Sequence, residues 1–310
     1  MSASTSGYSR VLSTYNTADY FLRNALHLDE GFSSRKFAKA VMDVADVEMH
    51  TKQVLSSNTL VSADYRSPEY RTENKRIKLR QKILFELKNH VRLDDDDKIK
   101  MGSGGALPKT VLKRQKKAFY IIGLPASGKS EIAARISDEY GAMILDSDYA
   151  KRKFPEYRRD YGATVVHKES SLIVFGAPGK YASEESLIKY ALENEFNIVI
   201  PKIGNVSSEI SELAEVLSRI NYEVHLILVR LDREKAVKRA FKRFSETKRY
   251  VPLSMIFDVY SNEPTITFYD LLHNDKFFSS YTMISSDVPW GSPKQIIYTT
   301  DVSLLQNIHL

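Results

Sequence analysis

Eight consecutive residues constrain this chain more than anything else in it: Gly123-Leu124-Pro125-Ala126-Ser127-Gly128-Lys129-Ser130. They fit G-x-x-x-x-G-K-[ST] at every fixed position. An apolar run at 118–122 precedes them and a helix-compatible run follows, which places the loop between a strand and a helix. The chemistry asks for these residue types at this spacing. Gly123 and Gly128 let backbone N–H groups turn toward phosphate oxygens, with Pro125, Ala126 and Ser127 carrying the loop between them. The following helix brings its positive end to the same point. Lys129 reaches the β- and γ-phosphates, and Ser130 can ligate Mg²⁺. The loop therefore predicts a nucleoside triphosphate with Mg²⁺, and by itself it does not separate a kinase from a switch or motor ATPase.

Further apolar runs at 143–145, 198–200 and 224–229 read as buried strands. Helical runs at 130–139, 184–194, 209–220 and 233–245 separate them. This alternation predicts a three-layer α/β unit over residues 115–310, a parallel sheet with helices on both faces. The strand at 143–145 runs into Asp146-Ser147-Asp148. Functional groups of such sheets lie beyond the carboxyl ends of the strands. A carboxylate there can take the proton of an acceptor hydroxyl or help hold Mg²⁺. A basic helix at 235–243 and the following Lys248-Arg249-Tyr250-Val251-Pro252 supply arginines able to close over phosphates. A nucleic-acid partner is the weaker reading of that helix, because aromatic interleaving is confined to Phe241 and Phe244.

Residues 1–92 read as an all-α segment. Ser33 or Ser34 caps a run in which Phe37, Val41, Val44 and Ala45 recur at helical spacing, and a shorter candidate lies at 20–26. Ser67-Pro68-Glu69 reads as a cap, a proline at the first helical position and an acid. After it Ile77, Leu84, Leu87 and Val91 form one stripe, with Lys and Arg on the opposite face. Residues 93–114 read as a linker, with Asp94-Asp95-Asp96-Asp97-Lys98 followed by Gly102-Ser103-Gly104-Gly105. The acidic run also looks like a protease recognition sequence used in engineered fusions. Cysteine is absent, which excludes disulfides, thiolate zinc sites and a cysteine nucleophile, and fits a reducing, cytoplasmic setting. No run approaches the roughly 18 apolar residues of a spanning helix, so no membrane partner is expected. The 45 basic against 39 acidic residues are too small an excess to argue for a polyanionic partner.

Taken in order, the motifs between about 115 and 275 resemble those of the zeta toxin family of P-loop kinases. The residues that carry the resemblance are Gly123–Ser130, Ile144-Leu145-Asp146-Ser147-Asp148, Lys153-Phe154-Pro155, Glu185 ahead of the third strand, Arg243, and Arg249 before Tyr250-Val251-Pro252. The resemblance implies an ATP- and Mg²⁺-dependent toxin that phosphorylates a hydroxyl of UDP-N-acetylglucosamine; related plant-pathogen effectors phosphorylate NAD instead. It implies Asp148 as base on that hydroxyl, Lys129 and Ser130 on ATP and Mg²⁺, and Arg243 and Arg249 as phosphate clamps. Asp146, Glu185 and His167 fall in the substrate stretch. One segment departs from the family pattern: Pro201-Lys202-Ile203-Gly204-Asn205 stands where the family carries E-G-T-G-R, so the acceptor does not carry over. Alternatives are a polynucleotide kinase and an ATP-binding regulatory protein with little catalysis. The family is held by a small helical antitoxin. Residues 1–92 are accordingly a candidate antitoxin in cis, a separate antitoxin being the other possibility. A chain starting near Met101 is then expected to be more toxic than the full one.

Overall fold

The computed structural model describes residues 11–31, 33–54, 58–159, 161–247, 249–289 and 292–305. Its centre is a six-stranded sheet of β1 (Lys117–Ile122), β2 (Met143–Ile144), β3 (Ile198–Lys202), β4 (Glu223–Arg230), β5 (Ser280–Ser285) and β6 (Gln295–Thr299). The strand order is β2-β3-β1-β4-β5-β6. The first five strands are parallel and β6 returns antiparallel to β5. The central strands are nearly unbroken runs of apolar residues, buried along their length. Such strands suit only a sheet covered on both faces. Sequence reasoning anticipates the first four strands, and misses β5 and β6.

The helices, in chain order, are α1 (Tyr15–Tyr20), α2 (Ser34–Val54), α3 (Glu73–Asn89), α4 (Lys129–Tyr140), α5 (Ser147–Lys151), α6 (Gly162–Val165), α7 (His167–Phe175), α8 (Leu187–Glu193), α9 (Ser207–Arg219), α10 (Arg233–Thr247) and α11 (Glu263–Asn274). None of them is long and apolar enough to cross a membrane. Pro68 opens a 3-10 turn, Pro68–Tyr70, rather than the α-helix expected there, and α3 begins only at Glu73.

The packing does not divide where the sequence suggests. Leu79, Ile83, Leu84 and Leu87 of α3 join the same apolar cluster as β1, β3 and β4. By contrast, Phe37, Val41 and Val44 of α2 pack with Leu124 of the phosphate loop and with Val237, Phe241 and Phe244 of α10. Residues 1–92 are thus not one packing unit. The buried face of α3 only partly follows the expected stripe, since Leu84 and Leu87 are buried in it. Val91 is exposed, whereas Arg76, Arg80 and Glu86 are buried. Arg76 is fully buried and bridges Glu156 at 2.8 Å and Glu169 at 2.7 Å, and its guanidinium lies 4.7 Å from the Phe154 ring centre. Arg80 meets Glu169 at 3.0 Å and Glu184 at 2.8 Å.

The expected linker is folded onto this core. Ile99 and Ala106 are buried in the main cluster. Lys153 Nζ donates to Glu86 Oε2 at 2.8 Å and to the carbonyls of Lys100 and Ser103 at 3.1 and 3.2 Å. Gly105 is needed because a Cβ there would lie 2.2 Å from the His90 carbonyl oxygen. A polar, Gly-rich composition reads as a flexible spacer until long-range partners claim its backbone groups.

The imidazole of His225 in β4 is buried, stacks on Phe119 with ring centres 5.0 Å apart, and shares a 2.8 Å hydrogen bond with Ser280 Oγ. Burial pushes it down to about 4. Its folded value lies below the unfolded one, so unfolding takes up a proton between those two values. Stability is expected to fall as pH drops from about 6.5 towards 4, with about 3 kcal/mol attributable to this group. Thermal melts across that window check it. His225→Phe should flatten the slope, and an unchanged slope refutes the assignment.

Candidate active site

The phosphate loop leaves β1 and enters α4. Gly123 has φ 153°, and a Cβ there would lie 2.5 Å from the Val229 carbonyl oxygen. Gly128, at φ 91°, caps α4 in the left-handed conformation that glycine adopts without strain. Lys129 Nζ folds back over the loop and donates to the carbonyls of Gly123 and Leu124, both at 2.7 Å. Burial pushes its ammonium down to about 7. Bound phosphate charge would restore the cation, and the carbonyl contacts are ones an incoming phosphate can replace.

Asp146 follows β2 and caps α5, its Oδ1 accepting from the Asp148 amide at 2.8 Å. Burial, and then the neighbouring charge of Asp148, raise its carboxyl to about 6. Asp148 is the opposite case. Burial opposes its ionisation, but Lys151, Arg249 and Arg152 overcome that and hold it well below the usual carboxylate range. Lys151 Nζ donates to its Oδ1 at 2.7 Å and Arg249 Nη2 to its Oδ2 at 2.5 Å. Two adjacent carboxylates are thus driven apart in proton affinity, the pattern by which a site separates two acid–base roles.

Arg243 lies on α10 and Arg249 just beyond it. Burial and the charge of Arg249 lower the Arg243 guanidinium to about 10, and its Nε is buried without a hydrogen-bond partner. These groups line one cleft of about 1480 Å³, which the loop, Asp146, Asp148, Arg243 and Arg249 share. Single-ligand pockets hold roughly 300–1,000 Å³, so there is room for a nucleotide and a second molecule.

Residues 106–268 match the model of the Zeta toxin family. The chain belongs to the zeta toxin family. No curated protein matches it. Among solved structures it is similar to one from the PezAT chromosomal toxin–antitoxin system of Streptococcus pneumoniae, at 16% identity over 74% of this chain and 82% of that one, with a TM-score of 0.45. It is also similar to the native AvrRxo1-ORF1:-ORF2 complex, at 15% identity over 77% of this chain and 70% of that one, TM-score 0.45. A third similar structure is AvrRxo1-ORF1:-ORF2 with ATP, at 17% identity over 77% and 70%, TM-score 0.45.

Within this zeta toxin chain, Pro125, Ala126, Gly128, Lys129 and Ser130 of the loop come together with Asp146, Asp148, His167, Arg243 and Arg249, but Gly123, Ser127 and Glu185 do not line the cleft. Glu185 is half-exposed and pairs with Lys88 of α3 at 2.6 Å, while Glu184 beside it pairs with Arg80. The basic face of α3 takes up this acidic pair. His167 opens α7, and burial pushes its imidazole down to about 4, which leaves it neutral. The departing segment Pro201-Lys202-Ile203-Gly204-Asn205 lines the cleft throughout. Lys202 Nζ sits 3.6 Å from the Phe175 ring centre.

Sequence reasoning missed Lys151, Lys294 and Tyr120, which also line the cleft. Lys294 pairs with Glu131 beside the loop. It lies after β5, in a region that shows no motif, so no local signal marks it. The Tyr120 hydroxyl is buried without a hydrogen-bond partner.

Proposed function

We propose that the protein is an ATP-dependent kinase that phosphorylates a hydroxyl of a nucleotide-like metabolite and acts as a toxin. The observation that carries this reading is the convergence of the phosphate loop, an ionised Asp148 and two arginines in one cleft with room for two ligands. In the reaction the acceptor hydroxyl gives its proton to Asp148. Its oxygen forms a bond to the γ-phosphorus as the bond to the β–γ bridging oxygen breaks, and ADP leaves with that electron pair. Lys129, Arg243 and Arg249 meet the negative charge spread over the transferring group.

The site fits Mg²⁺. No group of three or more acidic, His or Cys side chains able to hold a metal occurs among the described residues. Ser130, exposed in the first turn of α4, and Asp146 are available instead. Mg²⁺ is commonly held by one or two protein oxygens together with substrate phosphates, and when bound it neutralises developing phosphate charge.

The cleft wall formed by Pro201–Asn205 differs from the family pattern, and this leaves UDP-N-acetylglucosamine, NAD or another nucleotide-like molecule as acceptor. Among the described residues none of 1–92 lines the cleft. Any restraint in cis by α1 and α2 would act through α10, on which they pack, and through Tyr250, whose hydroxyl donates to Glu48 at 2.5 Å.

The test is incubation of cell extract with the protein and γ-labelled ATP, followed by mass spectrometry of the labelled small molecules. Wild type should label one metabolite class and poison cells, and Lys129→Ala should do neither. A Lys129→Ala protein that remains toxic would move the function from phosphoryl transfer to binding.

A further inference from the structure

Asp97, the last residue of the acidic run, lies ahead of the family match, which begins at residue 106. Its Oδ1 accepts from Arg249 Nη1 and from Arg152 Nη2, both at 3.1 Å. The other terminal nitrogen of Arg249, Nη2, is on Asp148. One guanidinium therefore bridges the candidate base and a carboxylate 152 residues away in sequence.

A third of the Asp97 side chain is exposed, and its backbone is anchored on both sides. Its amide donates to Asp95 Oδ1 at 3.0 Å, opening the turn Asp96–Lys98. Ile99, next after the turn, is 3% exposed in the main core. The Arg152 side chain is 2% exposed. Burial raises the Asp97 carboxyl, but Arg249 and Arg152 outweigh that and hold it below the usual range, so it is an anion at neutral pH.

Lys151 and Arg249 each pair with one oxygen of Asp148, and while both cations stay there the carboxylate is a weak base towards a hydroxyl proton. Arg249 has spare N–H donors, but with both ends of its fork on carboxylates its charge is already neutralised. The contact with Asp148 is the one whose release restores basicity to the reacting group and turns Nη2 towards a phosphate. The contact with Asp97 can persist, because its anchor lies outside the reaction.

We propose that Asp97 is a positioning residue: it keeps hold of Nη1 of Arg249 while Nη2 turns from Asp148 to the transferred phosphoryl group. The proposal rests on the kinase reading above. It gives Asp97 of the acidic run a part in placing Arg249.

The test uses full-length wild type, Asp97→Asn, Asp97→Glu, Arg249→Ala, Lys129→Ala and the Asp97→Asn/Arg249→Ala double variant. Phosphate transfer from γ-labelled ATP into extract metabolites is measured, with binding of Mg²⁺ and a non-hydrolysable ATP analogue followed by calorimetry. Asp97→Asn should lower kcat by roughly 10- to 100-fold, the cost of a misplaced catalytic group, and keep the analogue Kd within about threefold. Asp97→Glu should recover part of the rate. In the Arg249→Ala background Asp97→Asn should cost nothing further, because the residue acts through that arginine. Wild-type kcat in Asp97→Asn, or an equal loss in both backgrounds, overturns the proposal while the kinase reading stands. No label transfer by wild type above the Lys129→Ala level overturns the reading, and Asp97 falls with it.

Discussion

Asp148→Asn should bind ATP much as wild type does and transfer phosphate roughly 10²–10⁴-fold more slowly, the usual contribution of a positioned base. Asn keeps the shape but has a single acceptor oxygen, so it keeps one of the contacts with Lys151 and Arg249 and turns its NH2 towards the other cation. What it lacks is a basic oxygen. The neighbouring Asp146 has its Oδ1 engaged in capping α5, but its carboxyl, raised to about 6, is the more basic of the two, so Asp146→Asn is the necessary control. Single-turnover transfer with a quenched-flow readout separates the chemical step from binding. Normal turnover in Asp148→Asn with a dead Asp146→Asn would reverse the assignment of the two carboxylates.

A chain beginning at Met101 should fail to fold, not become more toxic. It would lack Leu79, Ile83, Leu84, Leu87 and Ile99, all buried with the central strands. It would also lack Arg76 and Arg80, and leave Glu169 without either of its arginines and Glu156 without Arg76, in a core where both glutamates are fully buried. The single substitution Arg76→Ala isolates that last effect. Glu156 Oε1 would keep only the Ser67 amide, at 2.7 Å, and the loss should reach about 3–5 kcal/mol, the cost of breaking a buried pair from one side. That is a large fraction of the roughly 5–15 kcal/mol that holds a domain folded. Chemical denaturation of Arg76→Ala against wild type measures it, and solubility with a cooperative melt decides the truncated chain. A soluble, cooperatively folded and more toxic chain from Met101 would restore residues 1–92 as a separable inhibitor.

The phosphate loop, the first four parallel strands and the two carboxylates after β2 were legible in local pattern. Each is local: a loop of fixed spacing, an apolar run of strand length, a turn at the end of it. Arg243 and Arg249 were legible as a basic stretch before a proline, because the feature again lies within a few residues. Tertiary structure alone decided the rest. Lys and Arg on α3 read as a solvated face, since nothing near them in sequence reveals that Glu156, Glu169 and Glu184 will fold against Arg76 and Arg80. Glu185 reads as a substrate residue only through the family resemblance, and in the fold Lys88 pairs with it away from the cleft. Asp97 reads as part of a spacer, and becomes a partner of Arg249 only because segments far apart in sequence meet beside Asp148. A charged side chain is costly to bury alone and stable when paired. Its place in the fold therefore depends on where its partner lies, which local pattern does not record.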